Sequence, residues 1–343
     1  MKPTLPMNPT GWFQVAWSDE VRVGDVHRMR YFGRDLVAWR GHSGRVTVMD
    51  AYCEHLGAHL GYGGTVVEDR IRCPFHGWEW TEQGRNHCIP YEDRPNLGKR
   101  INTMPVVERN ESIYVWHDVD RRPPHFDVPD VFTGFASDGA SDGASDGETT
   151  GPQDYYPLCE HARLLDTSLE LHPQYVLENG VDFAHFKYVH QVPIVPKFPR
   201  QEFEDPIAFV DFTITFDERD AGGSIEDIDS GVEALNCGVG LAVTKSWGMI
   251  DNRTVLATTP VDDQETDGDY QQRGTERQAE PGPAPTLHGG GRHRVTGHRP
   301  GRGVHVCAGS IAGEGADQRG ATADLRSGLE RERRSAGERP GER

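Results

Sequence analysis

The chain has 343 residues, 26% of them charged, with a formal net charge of −18 at pH 7. That length suits two domains, and the acidic balance argues against nucleic acid, whose phosphates need a basic patch. No stretch approaches the roughly 18 uninterrupted apolar residues of a membrane span, and residues 1–9 lack a signal-peptide apolar core, so a soluble, cytoplasmic protein with no membrane span is expected. In chain order, segments 11–17, 28–39, 45–52 and 112–116 are rich in branched and aromatic residues and are broken by glycine-containing turns, which predicts short strands. Gly33-Arg34, between Tyr31-Phe32 and Leu36-Val37-Ala38-Trp39, predicts a hairpin turn. A small antiparallel domain over residues 1–130 is the simplest architecture.

Within it stand two cysteine–histidine pairs, Cys53-Glu54-His55 and Cys73-Pro74-Phe75-His76. Each pair offers one thiolate and one imidazole, so two sulfide-bridged irons could be held by two sulfurs on one iron and two nitrogens on the other. The same donors suit a tetrahedral zinc. Zinc fingers usually run a cysteine pair and then a histidine pair, whereas here each loop carries one of each, which favours iron–sulfur. Gly57, Gly61, Gly63, Gly64 and Gly77 let the loops bend tightly and bring backbone N–H groups toward the cluster. Phe75, Trp78 and Trp80 are expected to shield the cluster and fill the domain core. Cys88, Cys159, Cys237 and Cys307 have no ligand spacing and read as thiols of a reducing cytoplasm.

Residues 136–147 repeat Ala-Ser-Asp-Gly three times, a composition that cannot bury a core, so residues 131–154 read as a flexible linker. A second constellation follows in Asn179, Asp182, His185 and His190. On a helix Asp182 and His185 share a face. His190 lies about 140° further round, so it joins the same metal only if the helix bends or ends, as nearby Pro193 and Pro196 favour. Two histidines and a carboxylate on one side of an iron leave positions open for dioxygen. Val210, Phe212, Ile214 and Phe216 then alternate with polar residues over 208–216, a strand with one apolar face, and segments 241–247 and 254–261 extend the sheet.

After about residue 264 the composition changes. Beyond Tyr270 the sequence contains no Phe, Trp, Tyr, Lys or Met, and it is dominated by Gly and Arg, with Arg outnumbering Asp and Glu together. This fits either a disordered tail or an out-of-frame reading that begins near residues 264–270.

Together, the Cys-x-His at 53–55, the Cys-x-x-His-Gly-Trp at 73–78 and the segment carrying Asn179, Asp182, His185 and His190 resemble the Rieske non-heme iron oxygenases, over residues 8–263. Residues 50–60 and 178–185 are similar to the branch of 3-ketosteroid 9α-hydroxylase oxygenase components and cholesterol 7-desaturases. The resemblance implies an α+β chain, with an antiparallel β Rieske domain over 1–130 and a helix-grip catalytic domain over 155–263, the atypical tail occupying 264–343. It implies a 2Fe-2S cluster on Cys53, His55, Cys73 and His76, and a mononuclear Fe(II) on His185 and His190 with O2 as co-substrate. Asn179 takes a matching motif position, and Asp182 that of the aspartate that passes electrons to iron from a neighbouring subunit's cluster histidine, by resemblance His76. NAD(P)H electrons would enter through a separate ferredoxin or flavin reductase, toward which the acidic surface could orient the chain, and the assembly would be a homotrimer. The substrate would be sterol-like, with an aromatic acid as the alternative. The family's third iron ligand is an aspartate near the C-terminus. Asp317 and Asp324 sit in nothing resembling its helix, so no third ligand is assigned, and an inactive chain that keeps only the cluster is the other reading.

Overall fold

The computed structural model describes residues 5–7, 9–132, 163–189, 200–216, 228–247 and 252–274. Its first part is built from β1 (Gly11–Trp17), β2 (Val26–Tyr31), β3 (Arg34–Arg40) and β4 (Val46–Asp50). Four three-residue strands follow, β5 (Thr65–Val67), β6 (Arg70–Arg72), β7 (Glu79–Thr81) and β8 (Asn86–Cys88), then β9 (Thr103–Met104), β10 (Val106–Arg109) and β11 (Ser112–His117). They form three antiparallel sheets in the orders β1-β11-β10, β2-β3-β4-β9 and β5-β6-β7-β8. Every residue of β1 is buried, because the strand is covered on both faces. Trp12 joins one core while Phe13 and Val15 join another.

The β2–β3 turn sits one residue earlier than expected. Tyr31 pairs with Arg34, so Phe32 and Gly33 are the central residues, at φ 55° and 69°. Two left-handed residues are what a tight hairpin of this hand requires. The strain of a left-handed Phe is offset by tertiary contacts. The Phe32 ring stacks on His117 at 4.3 Å, and the N–H groups of Phe32 and Gly33 donate to the carbonyls of Pro260 and Val261.

The second part comprises β12 (Arg163–Leu169), α1 (Pro173–Glu178), α2 (Phe183–Tyr188), β13 (Arg200–Glu204), β14 (Ile207–Phe216), β15 (Ile228–Cys237), β16 (Leu241–Trp247), β17 (Asn252–Pro260) and β18 (Thr266–Gly274). Its strands form one antiparallel sheet in the order β12-β18-β17-β16-β15-β14-β13. The strand expected over 208–216 is present as β14, but the consecutive residues Phe209 and Val210 are both buried, so this end of the strand does not show the single apolar face expected from the alternation. β18 corrects the expectation that ordered sequence stops at residue 263. It pairs with β17 from Asn252↔Gly274 to Pro260↔Thr266 and also with β12, so the ladder's hydrogen bonds fix a segment that composition alone marked as tail.

One core joins the two parts. Phe209, Leu235, Val243 and Val255 of the large sheet pack on Trp12, Tyr114, Trp116, Val128 and Val131, and each such side chain contributes about 1.5–3 kcal/mol by burial. Val131 is fully buried, so the linker expected from residue 131 begins after this anchor. Polar clasps cross the same junction. Thr259 Oγ1 donates to the Gln14 carbonyl, Gln271 Nε2 to the Asn110 carbonyl, and Arg163 pairs with Asp19 at 2.8 Å. The repeat at 136–147, Pro193, Pro196 and the sequence beyond Gly274 lie outside the described residues. Among the described residues no helix is long and apolar enough to cross a membrane.

Candidate functional site: two matched ligand loops

The four short strands position the two cysteine–histidine pairs. Cys53 follows β4, Cys73 follows β6, and the turn after Cys73 leads into β7. Both turns close in the same way. The Gly57 N–H donates to the Cys53 carbonyl at 2.9 Å and the Gly77 N–H to the Cys73 carbonyl at 3.1 Å. One residue on, the carbonyls of Ala58 and Trp78 each accept from the N–H of their own cysteine at 2.8 Å. Gly57 and Gly77 lie at φ 75° and 73°, the left-handed region that a side chain would disfavour. One fold of the backbone is therefore used twice, although one loop is a residue shorter between cysteine and histidine.

The loops bring the donors together by type. Cys53 and Cys73 are buried and their sulfurs share a hydrogen bond. That bond, with the Cys53 thiol donating, lowers the Cys73 thiol to about 6, while the same bond and burial push Cys53 up. The backbone N–H groups of Phe75 and His76 further favour the ionised Cys73 sulfur, and the N–H of His55 does so for Cys53. His55 and His76 are half-buried, with ring centroids 4.7 Å apart. A single zinc would draw all four donors to one point. Here they stand as a sulfur pair and a nitrogen pair, and among the described residues no three His, Cys, Asp or Glu side chains converge on one ion. Two sulfurs for one iron and two nitrogens for the other fit this arrangement.

The surroundings hold the loops firmly. The His55 ring stacks on Trp78 at 4.4 Å and 6°, and Trp78 Nε1 donates to the Tyr91 hydroxyl at 2.8 Å. Glu79, nearly buried, accepts from Arg70 Nε at 2.9 Å and from Arg72 Nη2 at 2.7 Å. Burial alone would raise its carboxyl, but the two guanidiniums outweigh it and hold the group below its ordinary value. This clamp ties β6 to β7 directly beside Cys73. Trp78 and Trp80 are buried as expected, whereas Phe75 is 63% exposed, outside the domain core, with its ring tilted against His76 at 4.1 Å. With Leu56, 67% exposed, it makes the ligand-loop tips apolar.

In the second constellation Asp182 is the N-cap of α2 and stands just outside the helix, which corrects the shared helical face. At φ −85° and ψ 90° its carboxylate accepts from the N–H groups of Ala184 and His185 at 3.0 and 3.3 Å. Its carbonyl contacts His185 Nδ1. Asp182 and His185 are thus coupled through the cap, a role readable from an Asp directly before a short helix. Asn179 is exposed and caps the C-terminus of α1, its N–H donating to Leu177. Val189 ends α2, and His190 lies outside the described residues. One residue that sequence reasoning missed is His172, buried at the N-cap of α1. Its Nδ1 accepts from Gln174 N–H, so its other nitrogen donates to the Pro6 carbonyl at 2.9 Å. The helix pair is thereby tied to the N-terminal segment.

Comparison with known proteins agrees with both halves. Residues 11–107 match the Rieske [2Fe-2S] domain, and residues 115–280 match the 3-ketosteroid 9alpha-hydroxylase C-terminal domain. The second match runs past Gly274, so family-like sequence continues beyond residue 263, where the tail was expected to begin. The chain is 31% identical to a cholesterol 7-desaturase of Caenorhabditis elegans over 238 residues, 67% of this chain and 50% of that protein. It is 32% identical to the 3-ketosteroid-9-alpha-monooxygenase oxygenase component of Rhodococcus rhodochrous over 208 residues, 59% of this chain and 49% of that one. A cholesterol 7-desaturase of Ciona intestinalis is 31% identical over 54% of this chain and 35% of its own. The chain spans half the length, or less, of these curated relatives. In fold it resembles dicamba monooxygenase solved with non-heme iron and dicamba, with a TM-score of 0.60 at 14% identity, covering 99% of this chain and 92% of that one.

Proposed function

Proceeding from a chain that joins a Rieske [2Fe-2S] domain to a 3-ketosteroid 9alpha-hydroxylase C-terminal domain, we propose that it is the terminal oxygenase of a multicomponent system acting on a bulky apolar ring compound. The observation that carries this reading is the pair of matched loops, which set two sulfurs and two imidazoles side by side. In this reading Cys53, His55, Cys73 and His76 hold the 2Fe-2S cluster, and His185 and His190 hold a mononuclear iron. When bound, these groups supply one-electron transfer and activation of O2. The chain's own residues then have separate tasks. Trp78 and the Glu79 clamp fix the ligand loops, and Asp182 holds His185 through the helix cap. Asn179 sits between the two helices.

Electrons from NAD(P)H would enter through a separate ferredoxin or flavin reductase and leave by a cluster histidine toward Asp182 of a neighbouring subunit in a homotrimer. The exposed Leu56 and Phe75 beside the half-buried histidines support a surface covered in an assembly. A sterol-like substrate is supported by the names of the relatives, and a reducing cytoplasm by the non-ligand cysteines Cys88 and Cys237, which form no disulfide among the described residues. A second reading, a chain that keeps the cluster without turning over, rests on the composition after residue 270. Iron and acid-labile sulfide per chain, with EPR of the reduced protein, separate the two. Three irons to two sulfides are expected of the oxygenase, and two to two of the inactive carrier. Oxygen-dependent product from a sterol, with reductase supplied, tests the substrate class.

A further inference from the structure

Ile89 and Ile101 are buried in the core that contains Cys53, Cys73 and Trp78, yet every residue between them, 90 to 100, is exposed. The exposure does not come from looseness. The Asn96 N–H donates to Oδ1 of buried Asn86 at 2.7 Å, Arg100 Nε donates to the Gln83 carbonyl at 3.0 Å, and the Glu92 N–H donates to the Ile89 carbonyl at 3.0 Å. On this fixed backbone stand Tyr91, 57% exposed, and Leu97, at 87% the most exposed large apolar side chain among the described residues. A loop already ordered with its apolar side chains held outward loses little further freedom on docking.

Charge says what would dock. Arg85 and Arg100 face each other across an isolated antiparallel bridge, where like charges destabilise the pairing. Neither of them, nor Arg94, has a carboxylate partner among the described residues, and Lys99 meets Glu54, between Cys53 and His55, only at 3.9 Å. Against Glu92 and Asp93, these four cations leave the surface positive on a chain whose net charge is −18. An acidic protein is therefore repelled by most of this chain and attracted here.

The same loop touches a cluster ligand through one residue. Trp78 Nε1 donates to the Tyr91 hydroxyl at 2.8 Å, and the Trp78 indole lies 4.4 Å from the His55 ring and nearly parallel to it. An exposed phenol, a buried indole and an imidazole thus run in unbroken contact from water to the ligand loops. We propose that residues 90–100, with Arg85, are the docking surface for a one-electron donor protein whose own contact face is acidic, and that His55 is the side on which the electron enters. The donor loses one electron and the oxidised cluster gains it. Tyr91, Trp78 and His55 mediate the transfer without changing their own charge, and no bond forms or breaks. His76 is left for the exit proposed above. The inference rests on that reading, in which Cys53, His55, Cys73 and His76 hold the cluster and a separate protein supplies the electrons.

The test is stopped-flow reduction of the full chain, reconstituted with iron and sulfide, by a reduced acidic plant-type ferredoxin, whose potential lies below that of a Rieske centre. The wild-type rate is expected to fall steeply as salt rises. Arg94→Glu combined with Arg100→Glu should lower that rate about tenfold at low salt and flatten its salt dependence. The Rieske EPR signal, the oligomeric state and reduction by dithionite in high salt should stay as in the wild type. Arg22→Glu, a charge reversal at an exposed position outside the loop, is the control and should leave the ferredoxin rate near its wild-type value. A rate unmoved by the paired reversal, or moved equally by the control, overturns the proposal, as does a wild-type cluster that the ferredoxin does not reduce. If the paired variant does not assemble, Leu97→Ser decides the matter. It is expected to raise the half-saturating ferredoxin concentration about tenfold, and an unchanged value overturns the proposal. Loop variants that alter the oligomeric state and leave the rate alone would assign the loop to a contact between copies of this chain, which overturns it equally. Wild-type protein without a Rieske signal overturns the ligand assignment itself, and the docking surface falls with it.

Discussion

The imidazole of His55 lies flat on the indole of Trp78, 4.4 Å between centroids and 6° from parallel. The contact crosses between the two loops, since His55 belongs to the first and Trp78 closes the second by accepting the Cys73 N–H. It therefore fixes both the plane of one ligand and the distance between loops. Trp78→Ala is expected to cost about 3–5 kcal/mol, as for other buried large-to-small changes, and to lower iron and sulfide per chain. Trp78→Phe should retain the cluster, because a flat ring remains under His55. Denaturant unfolding and metal analysis of both variants check this.

Gly57 and Gly77 share one backbone conformation but have different surroundings. A Cβ at Gly57 meets nothing within 4 Å, whereas at Gly77 it would approach Pro90 Cγ at 2.9 Å. Gly57→Ala should therefore incur only the left-handed backbone cost of about 1–2 kcal/mol. Gly77→Ala should lose more, because Pro90 must also give way. Paired stability measurements check the order, and equal losses would mean that backbone strain alone governs these turns.

Much of the first half was legible because its chemistry is local. The ligand loops announce themselves by Cys and His spacing, and Gly57 and Gly77 stand at the same distance after Cys53 and Cys73, marking one turn twice. β1 was legible as an apolar run. The β2–β3 turn was misplaced because a buried Phe in a left-handed conformation is held by Pro260 and Val261, from the far end of the large sheet's sequence, which no local propensity reports. β5 to β8 were not separated because three-residue strands carry too little periodicity to read. β18 was missed because its burial depends on two neighbours in the sheet, while its own residues are polar and glycine-containing. Asp182 was placed on a helix face by spacing alone, where its preference for the N-cap gave the better reading.

Asp182 has two separable roles, the helix cap seen in the structure and the electron route proposed above. Asp182→Ala removes the acceptor for Ala184 and His185 N–H and should destabilise the chain by about 1 kcal/mol. Asp182→Asn keeps a capping oxygen and should hold stability within a few tenths of a kcal/mol while removing the charge. If Asp182 carries electrons to the iron, both variants lose oxygen-dependent turnover and retain a reducible cluster. Turnover that survives in the Asn variant and falls in the Ala variant would assign the residue to the cap alone.

The junction between the two sheets carries a pH dependence of definite sign. Asp269 on β18 is buried, and burial, followed by the nearby charges of Glu20 and Asp267, raises its carboxyl from 3.8 to about 7. The folded chain thus holds this proton across a range in which the unfolded chain has released it. Asp269 costs no stability below about pH 4. Its penalty grows as pH rises toward 7 and is complete above it, at most about 4 kcal/mol for a shift of this size. Tyr31 responds to the same negative surroundings, its phenol held above its ordinary value by burial and then by Asp269 and Asp267. Asp269→Asn should therefore leave stability at pH 4 nearly unchanged, raise it at pH 8, and flatten the slope between them. Denaturant midpoints of the two proteins across that range give the comparison, and parallel curves would show that Asp269 ionises in the folded chain as freely as in the unfolded one.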